Sequence, residues 1–160
     1  MTNVYINGII VKLLLYDFDG VMTDNKVYVS ENGKESVMCN RSDGLAVSKI
    51  NKLGVPQAII STETNKIVAI RAKKLKIPVI YGVKNKKDTV FSYTNKLGIG
   101  LKETLYIGND LNDLEAMQFI GFPVCPNDAY KEIREISKLI LSVNGGYGVI
   151  RELFDKFEIK

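Results

Sequence analysis

Short runs of consecutive apolar residues alternate along this chain with longer stretches in which apolar positions recur every three or four residues. The short runs fall at 11–16 (apolar apart from Lys12), 55–60, 77–81, 104–107, 122–125 and 138–141. Runs of that length without alternation are the mark of strands buried on both faces, as in a parallel sheet. The stretches between them predict helices. One runs from a Ser42-Asp43 cap to about residue 53 and is closed by Gly54; others cover about 63–75, 85–97 (closed by Gly98), 111–120, 128–136 and 149–157. Apolar segments at 26–29 and 35–39 flank Glu31-Asn32-Gly33-Lys34, and the Asn-Gly pair predicts a β-hairpin. The alternation predicts an α/β fold: a Rossmann-like, doubly wound, mostly parallel sheet. With no linker and no repeat, residues 1–160 read as one domain, with a hairpin insert at about 25–40.

Composition narrows the chemistry. The chain has no histidine. A Ser-His-Asp triad, a Cys-His pair and a histidine-ligated zinc are therefore excluded, leaving carboxylates, lysines, hydroxyls and a hard, oxygen-ligated cation. The net charge of +4 is too small to argue for nucleic acid and suits a small anionic substrate. No apolar run is long enough to span a bilayer, and residues 1–12 lack the features of a leader. Cys39 and Cys125 form no metal or redox motif and read as buried small hydrophobes in a reducing, cytoplasmic setting.

In doubly wound sheets, ligands bind beyond the carboxyl ends of the strands. Four strand ends carry suitable groups. The first is Asp17-Phe18-Asp19-Gly20. Two carboxylates so close together call for a cation between them. Asp17 is placed to attack phosphorus; Asp19, two residues on, to protonate the leaving oxygen and activate water. Gly20 lets backbone N–H groups approach a phosphate. Ser61 and Lys86 can hold phosphate oxygens. In Gly108-Asn109-Asp110-Leu111-Asn112-Asp113, Asn109 or Asp110 can complete a cation's coordination, and Asp113 can orient Lys86. Taken singly, Ser61 reads as a helix cap, Lys86 as a solvated cation and the acidic first turn as a cap. Together and in order, the four read as one site.

These motifs, DFDGVMTD, AIIS, Lys86 and GNDLND, resemble the haloacid dehalogenase superfamily of phosphatases over nearly the whole chain. The resemblance implies Asp17 as nucleophile, Asp19 as acid/base, and magnesium on the Asp17 carboxylate, the Asp19 carbonyl and the Asn109-Asp110 loop. It implies a phosphate site of Gly20, Ser61, Thr62 and Lys86. Asn109 stands where most members carry aspartate, and Thr62 where glycine is usual.

With only a hairpin after the first motif and no cap domain, the chain is similar to the capless branch acting on phosphorylated 2-keto-3-deoxy sugar acids. The late Gly-Gly-Tyr-Gly-Val-Ile-Arg-Glu segment at 145–152 also resembles that branch, whose members are homotetramers. Glu63, Arg71 and Lys74 match residues that contact the sugar acid in nonulosonate (KDN or N-acylneuraminate) 9-phosphate phosphatases. A nine-carbon substrate is therefore expected, with 3-deoxy-D-manno-octulosonate 8-phosphate as the alternative. Two further classes remain: a non-catalytic tetramerisation domain like that of CMP-sialic acid synthetases, against which Asp19 speaks, and a signalling receiver, against which the position of Asp17 speaks.

Overall fold

The computed structural model describes residues 3–160. Met1 and Thr2, at the head of the segment read for a leader, lie outside them. The chain opens with β1 (Val4–Ile6), β2 (Ile9–Val11) and β3 (Leu13–Tyr16), and a hairpin follows, β4 (Tyr28–Val29) and β5 (Glu35–Ser36). Then come α1 (Arg41–Lys52), β6 (Gln57–Ile60), α2 (Ile67–Leu75), β7 (Val79–Ile80) and α3 (Lys86–Leu97). The last third holds β8 (Thr104–Ile107), α4 (Leu111–Phe119), β9 (Phe122–Cys125), α5 (Lys131–Ile136), β10 (Leu139–Ile140), α6 (Val149–Asp155) and β11 (Glu158–Ile159).

Six parallel strands lie in the order β10-β9-β8-β3-β6-β7. The chain winds outward from β3 through β6 to β7, then returns past β3 to β8, so the order reverses beside β3. That switch point opens a crevice at the carboxyl end of β3. Side chains alternate across the sheet. Leu14, Tyr16, Ile59 and Ile107 face α1, α2 and α6. Leu13, Leu15, Ile60 and Tyr106 face α3, α4 and α5. Because both faces are covered, every residue of β3, β6, β8 and β9 is buried, the polar Gln57 and Thr104 included.

The structure corrects several sequence boundaries. Helix α1 is capped by Asn40, whose Oδ1 accepts the Ser42 N–H at 2.9 Å, and not by Ser42-Asp43; Asp43 sits inside the first turn. Helix α2 starts at Ile67, four residues late, because Glu63 and Asn65 engage the backbone of Thr64, Asn65 and Ile67 in local turns. Helix α5 starts only at Lys131; the Tyr130 N–H is drawn to the Asn109 carbonyl at 2.9 Å. A three-stranded antiparallel sheet of β11, β1 and β2 was not expected. Its tight turn is Asn7-Gly8, both residues at positive φ (50° and 75°), the same hairpin signal that was read at Asn32-Gly33. Both cysteines are free thiols, Cys125 buried in β9 and Cys39 half-buried. No helix among the described residues is long and apolar enough to cross a membrane.

Candidate active site

Asp17 follows directly on β3 at the switch point, its N–H donating to the Ile107 carbonyl of β8 at 2.9 Å. Its carboxylate is buried, 5% exposed. Oδ1 accepts the Phe18 N–H at 2.7 Å and lies 2.8 Å from Lys86 Nζ. Lys86 opens α3, behind the Asn85 cap, and is itself buried. Its ammonium also meets Asp113 Oδ1 at 2.7 Å. Asp113 is fully enclosed: Tyr106 Oη donates to its Oδ1 at 2.8 Å, while the N–H groups of Asn109 and Asp110 donate to its Oδ2 at 2.9 and 3.3 Å. A side chain at Gly108 would collide with Asp113 and Met117, so glycine is required there for this packing.

The electrostatics follow from this enclosure. Burial works against the Lys86 ammonium, but Asp17 and Asp113 outweigh it and hold its pKa above the ordinary lysine value. Burial, reinforced by the Asp113 charge, pushes the Asp17 carboxyl well up, with Lys86 opposing. Asp19 is half-buried; burial raises its pKa, the Thr23 hydroxyl bond at 3.1 Å opposes, and the Glu63 charge adds to the rise. A carboxyl held toward its protonated form suits a proton donor.

Beside Asp17, one terminal atom of the Asn109 amide lies 2.9 Å from the Asp19 carbonyl oxygen and 3.2 Å from Asp17 Oδ2. If that atom is nitrogen, it donates to both oxygens. If it is oxygen, three oxygens converge with no proton among them and only a cation can reconcile them. Their spacing matches neighbouring ligands about a small divalent ion with bonds of about 2.1 Å. The set therefore fits a hard cation through Asp17 Oδ2, the Asp19 carbonyl and Asn109. Gly20, at φ 79°, makes room, since a side chain there would overlap the Asn109 amide. Its N–H donates to Thr23 Oγ1 at 3.3 Å.

Other expected residues lie as follows. Ser61, buried at the end of β6, accepts the Glu63 N–H on Oγ at 3.1 Å. Thr62 Oγ1 accepts from Asn112 Nδ2 at 3.3 Å, linking the second and fourth motifs. Asp110 caps α4, its Oδ1 accepting the Leu111 N–H at 2.6 Å, and it is the Asn109 amide, not the Asp110 carboxylate, that touches the Asp17 and Asp19 oxygens.

A cleft of about 320 Å³ adjoins Asp19, with Lys26, Glu35, Thr62, Glu63 and Asn65 on its walls. Arg71 and Lys74 are not brought to it. They line a separate groove of about 390 Å³ with Arg41 and Lys76, and Arg71 donates to the Asn40 carbonyl at 3.1 Å. The α2 face that carries them packs toward α1, which the i, i+3 spacing alone could not reveal. Sequence reasoning also missed Thr23 and Tyr106, which hold Asp19 and Asp113; a threonine four residues after an acid was the available signal for the first.

A buried aspartate paired with a lysine at the switch point of a parallel sheet, with a second aspartate beside it, defines an aspartate-based hydrolase. The chain belongs to the haloacid dehalogenase-like hydrolases, whose family model matches residues 11–153. The 3-deoxy-D-manno-octulosonate 8-phosphate phosphatase of Escherichia coli K12 is 31% identical over 146 residues, covering 91% of this chain and 78% of that protein. The Moraxella catarrhalis enzyme of the same name, solved with magnesium, phosphate and KDO, superposes with a TM-score of 0.87 at 33% identity, covering 91% of this chain and 84% of that one. The cobalt-bound Haemophilus influenzae deoxy-D-mannose-octulosonate 8-phosphate phosphatase gives a TM-score of 0.86 at 28% identity, covering 91% of this chain and 85% of that one.

Proposed function

We propose that this chain is a magnesium-dependent phosphatase of phosphorylated 2-keto-3-deoxy sugar acids, acting through an aspartyl-phosphate at Asp17. The observation that carries this reading is the buried Asp17–Lys86–Asp113 array with Asp19 alongside. Asp17 attacks phosphorus, and Asp19 delivers its proton to the departing alkoxide. Asp19, now a base, then draws a proton from the water that cleaves the acyl phosphate. Lys86 has a third N–H left for a phosphate oxygen, and Ser61 Oγ can donate to another. Asp17 Oδ2, the Asp19 carbonyl and Asn109 would hold magnesium, which would supply the positive charge that lets a buried carboxylate face an anionic phosphate.

Within the substrate class, the relatives favour 3-deoxy-D-manno-octulosonate 8-phosphate over the nine-carbon acid expected from Glu63, Arg71 and Lys74. Glu63 does line the cleft, where with Glu35 it can accept hydroxyl protons from a sugar chain. Arg71 and Lys74 could meet a sugar carboxylate only across an interface, which ties their role to assembly. Exposed Val27 (49%), Tyr28 (70%), Val29 (66%) and Met38 (55%) around the hairpin support the homotetramer that the resemblance implies.

A phosphate-release screen with magnesium tests the assignment. The octulosonate ester should be preferred over KDN 9-phosphate, N-acetylneuraminate 9-phosphate and hexose phosphates by about tenfold or more in kcat/KM. Equal rates on hexose phosphates would overturn the substrate class, and preference for a nine-carbon ester would restore the reading from Glu63. For the cation set, Asn109→Asp should tighten magnesium binding by about tenfold, because a charged ligand replaces a neutral one. In chelator the same variant should melt lower, since two carboxylate oxygens and the Asp19 carbonyl then converge unscreened. Calorimetric titration and thermal melts check both, and unchanged values would remove Asn109 from the set.

A further inference from the structure

Asp43 is a buried carboxylate that the chemistry above does not use. It is 2% exposed, and its Oδ2 has no hydrogen-bond partner. Burial pushes its pKa up to about 6, against the pull of backbone N–H groups of Arg151 and Ile150. Serving α1 does not explain this burial. Asn40 already caps that helix, and an exposed acid would favour its dipole as well.

The bond Asp43 does make reaches across the fold. Its Oδ1 accepts the Arg151 N–H at 3.0 Å, in the first turn of α6. Helix α6 has no side-chain cap of its own, since Gly148 occupies that position at φ 94°. The segment just before α6 lies on the catalytic loop. Gly146 N donates to the Val21 carbonyl at 2.9 Å. A side chain at Gly145 would overlap the Gly20 carbonyl, and one at Gly146 would collide with the backbone of Thr23 and Asp24. The near end of the segment is pinned separately, where Gly145 N donates to Asp128 Oδ1 at 2.8 Å. Residues 145–151 thus form a strap with two acidic anchors, pressed on the loop whose Thr23 hydroxyl holds the Asp19 carboxylate at 3.1 Å.

We infer that Asp43 is a positioning residue for proton transfer: by anchoring the start of α6 it holds the 145–148 strap against residues 20–24 and so fixes Asp19 in line with the leaving oxygen. The inference rests on the acid/base role proposed for Asp19. It assigns a physical purpose to the glycines of the late motif, which must be small because they lie backbone to backbone on the catalytic loop.

The test compares wild type, Asp43→Asn, Asp43→Ala and Asp19→Asn, each with magnesium, on an aryl ester (p-nitrophenyl phosphate) and on an alkyl ester (the preferred sugar phosphate). A good leaving group needs no proton, so a misplaced acid penalises the alkyl ester selectively. Asp43→Asn keeps the acceptor and should hold kcat/KM on both esters within about twofold. Asp43→Ala should lose about 30-fold on the alkyl ester and no more than about threefold on the aryl ester, part of what general acid catalysis contributes. If the alanine variant does not fold, Asp43→Ser, too short to reach Arg151 N, takes its place. Equal losses on both esters, no loss in the folded variant, or loss in the asparagine variant matching that in alanine would overturn the inference. If Asp19→Asn itself shows no selectivity for the alkyl ester, the acid/base reading of Asp19 has failed; if Asp19→Asn is selective and the Asp43 variants are not, the positioning role alone has failed.

Discussion

Replacing Asp17 with asparagine should abolish magnesium-dependent phosphate release, by at least about 10³-fold, because an amide cannot form the acyl phosphate. The fold should survive. Asparagine is nearly isosteric, Lys86 keeps its bond to Asp113, and the Phe18 N–H keeps an acceptor. The pH dependence has a definite sign. Because the folded-state pKa of Asp17 is raised, its contribution to stability is full in acid and is lost as pH rises through that value. The asparagine variant, measured in chelator, should therefore gain on wild type in thermal melts between acid and mildly alkaline buffer. A variant that keeps its turnover would dismiss Asp17 as nucleophile; a stability difference growing in the opposite direction would dismiss the raised carboxyl.

The second large effect belongs to Lys86. Lys86→Met should leave Asp17 and Asp113 facing each other, both buried, with no cation between them. Breaking a buried ion pair from one side costs about 3–5 kcal/mol. At this chain length that corresponds to a fall in Tm of roughly 10 °C. Activity should fall as well, since the ammonium belongs to the proposed phosphate site. The stability loss should shrink in acid, where Asp17 takes up a proton and the repulsion ends. Circular-dichroism melts in chelator at two pH values check this; a loss of less than about 1 kcal/mol would mean that the pair is solvated, as exposed ion pairs are.

What the sequence revealed was governed by local pattern. The run at 11–16 is divided, with Val11 ending β2 and Lys12 exposed, whereas Leu13–Tyr16 and Thr104–Ile107 are covered on both faces as such runs need. The polar residues that end those runs, Asp17 and Asn109, had to emerge at one rim because the strands are adjacent and parallel. Asp113 and Lys86 were legible as partners because helical spacing and strand order together bring them near. What was illegible depended on distant pairing. The first and last strands are each only two or three residues long and meet only when the chain ends come together. Asp43 looked like a cap signal, and nothing local announces that its carboxylate will be covered by a helix 108 residues away. Arg71 and Lys74 have the spacing of a shared face, but which neighbour that face meets is decided by α1.

The central claim is that Asp17 carries the phosphoryl group. Quenching the enzyme during turnover and reducing the acyl phosphate with borohydride converts a phosphorylated aspartate to homoserine, which peptide mass spectrometry locates. Homoserine is expected at position 17, dependent on substrate and magnesium, with Asp19 unmodified. Homoserine at another position, or none while phosphate is being released, would contradict it.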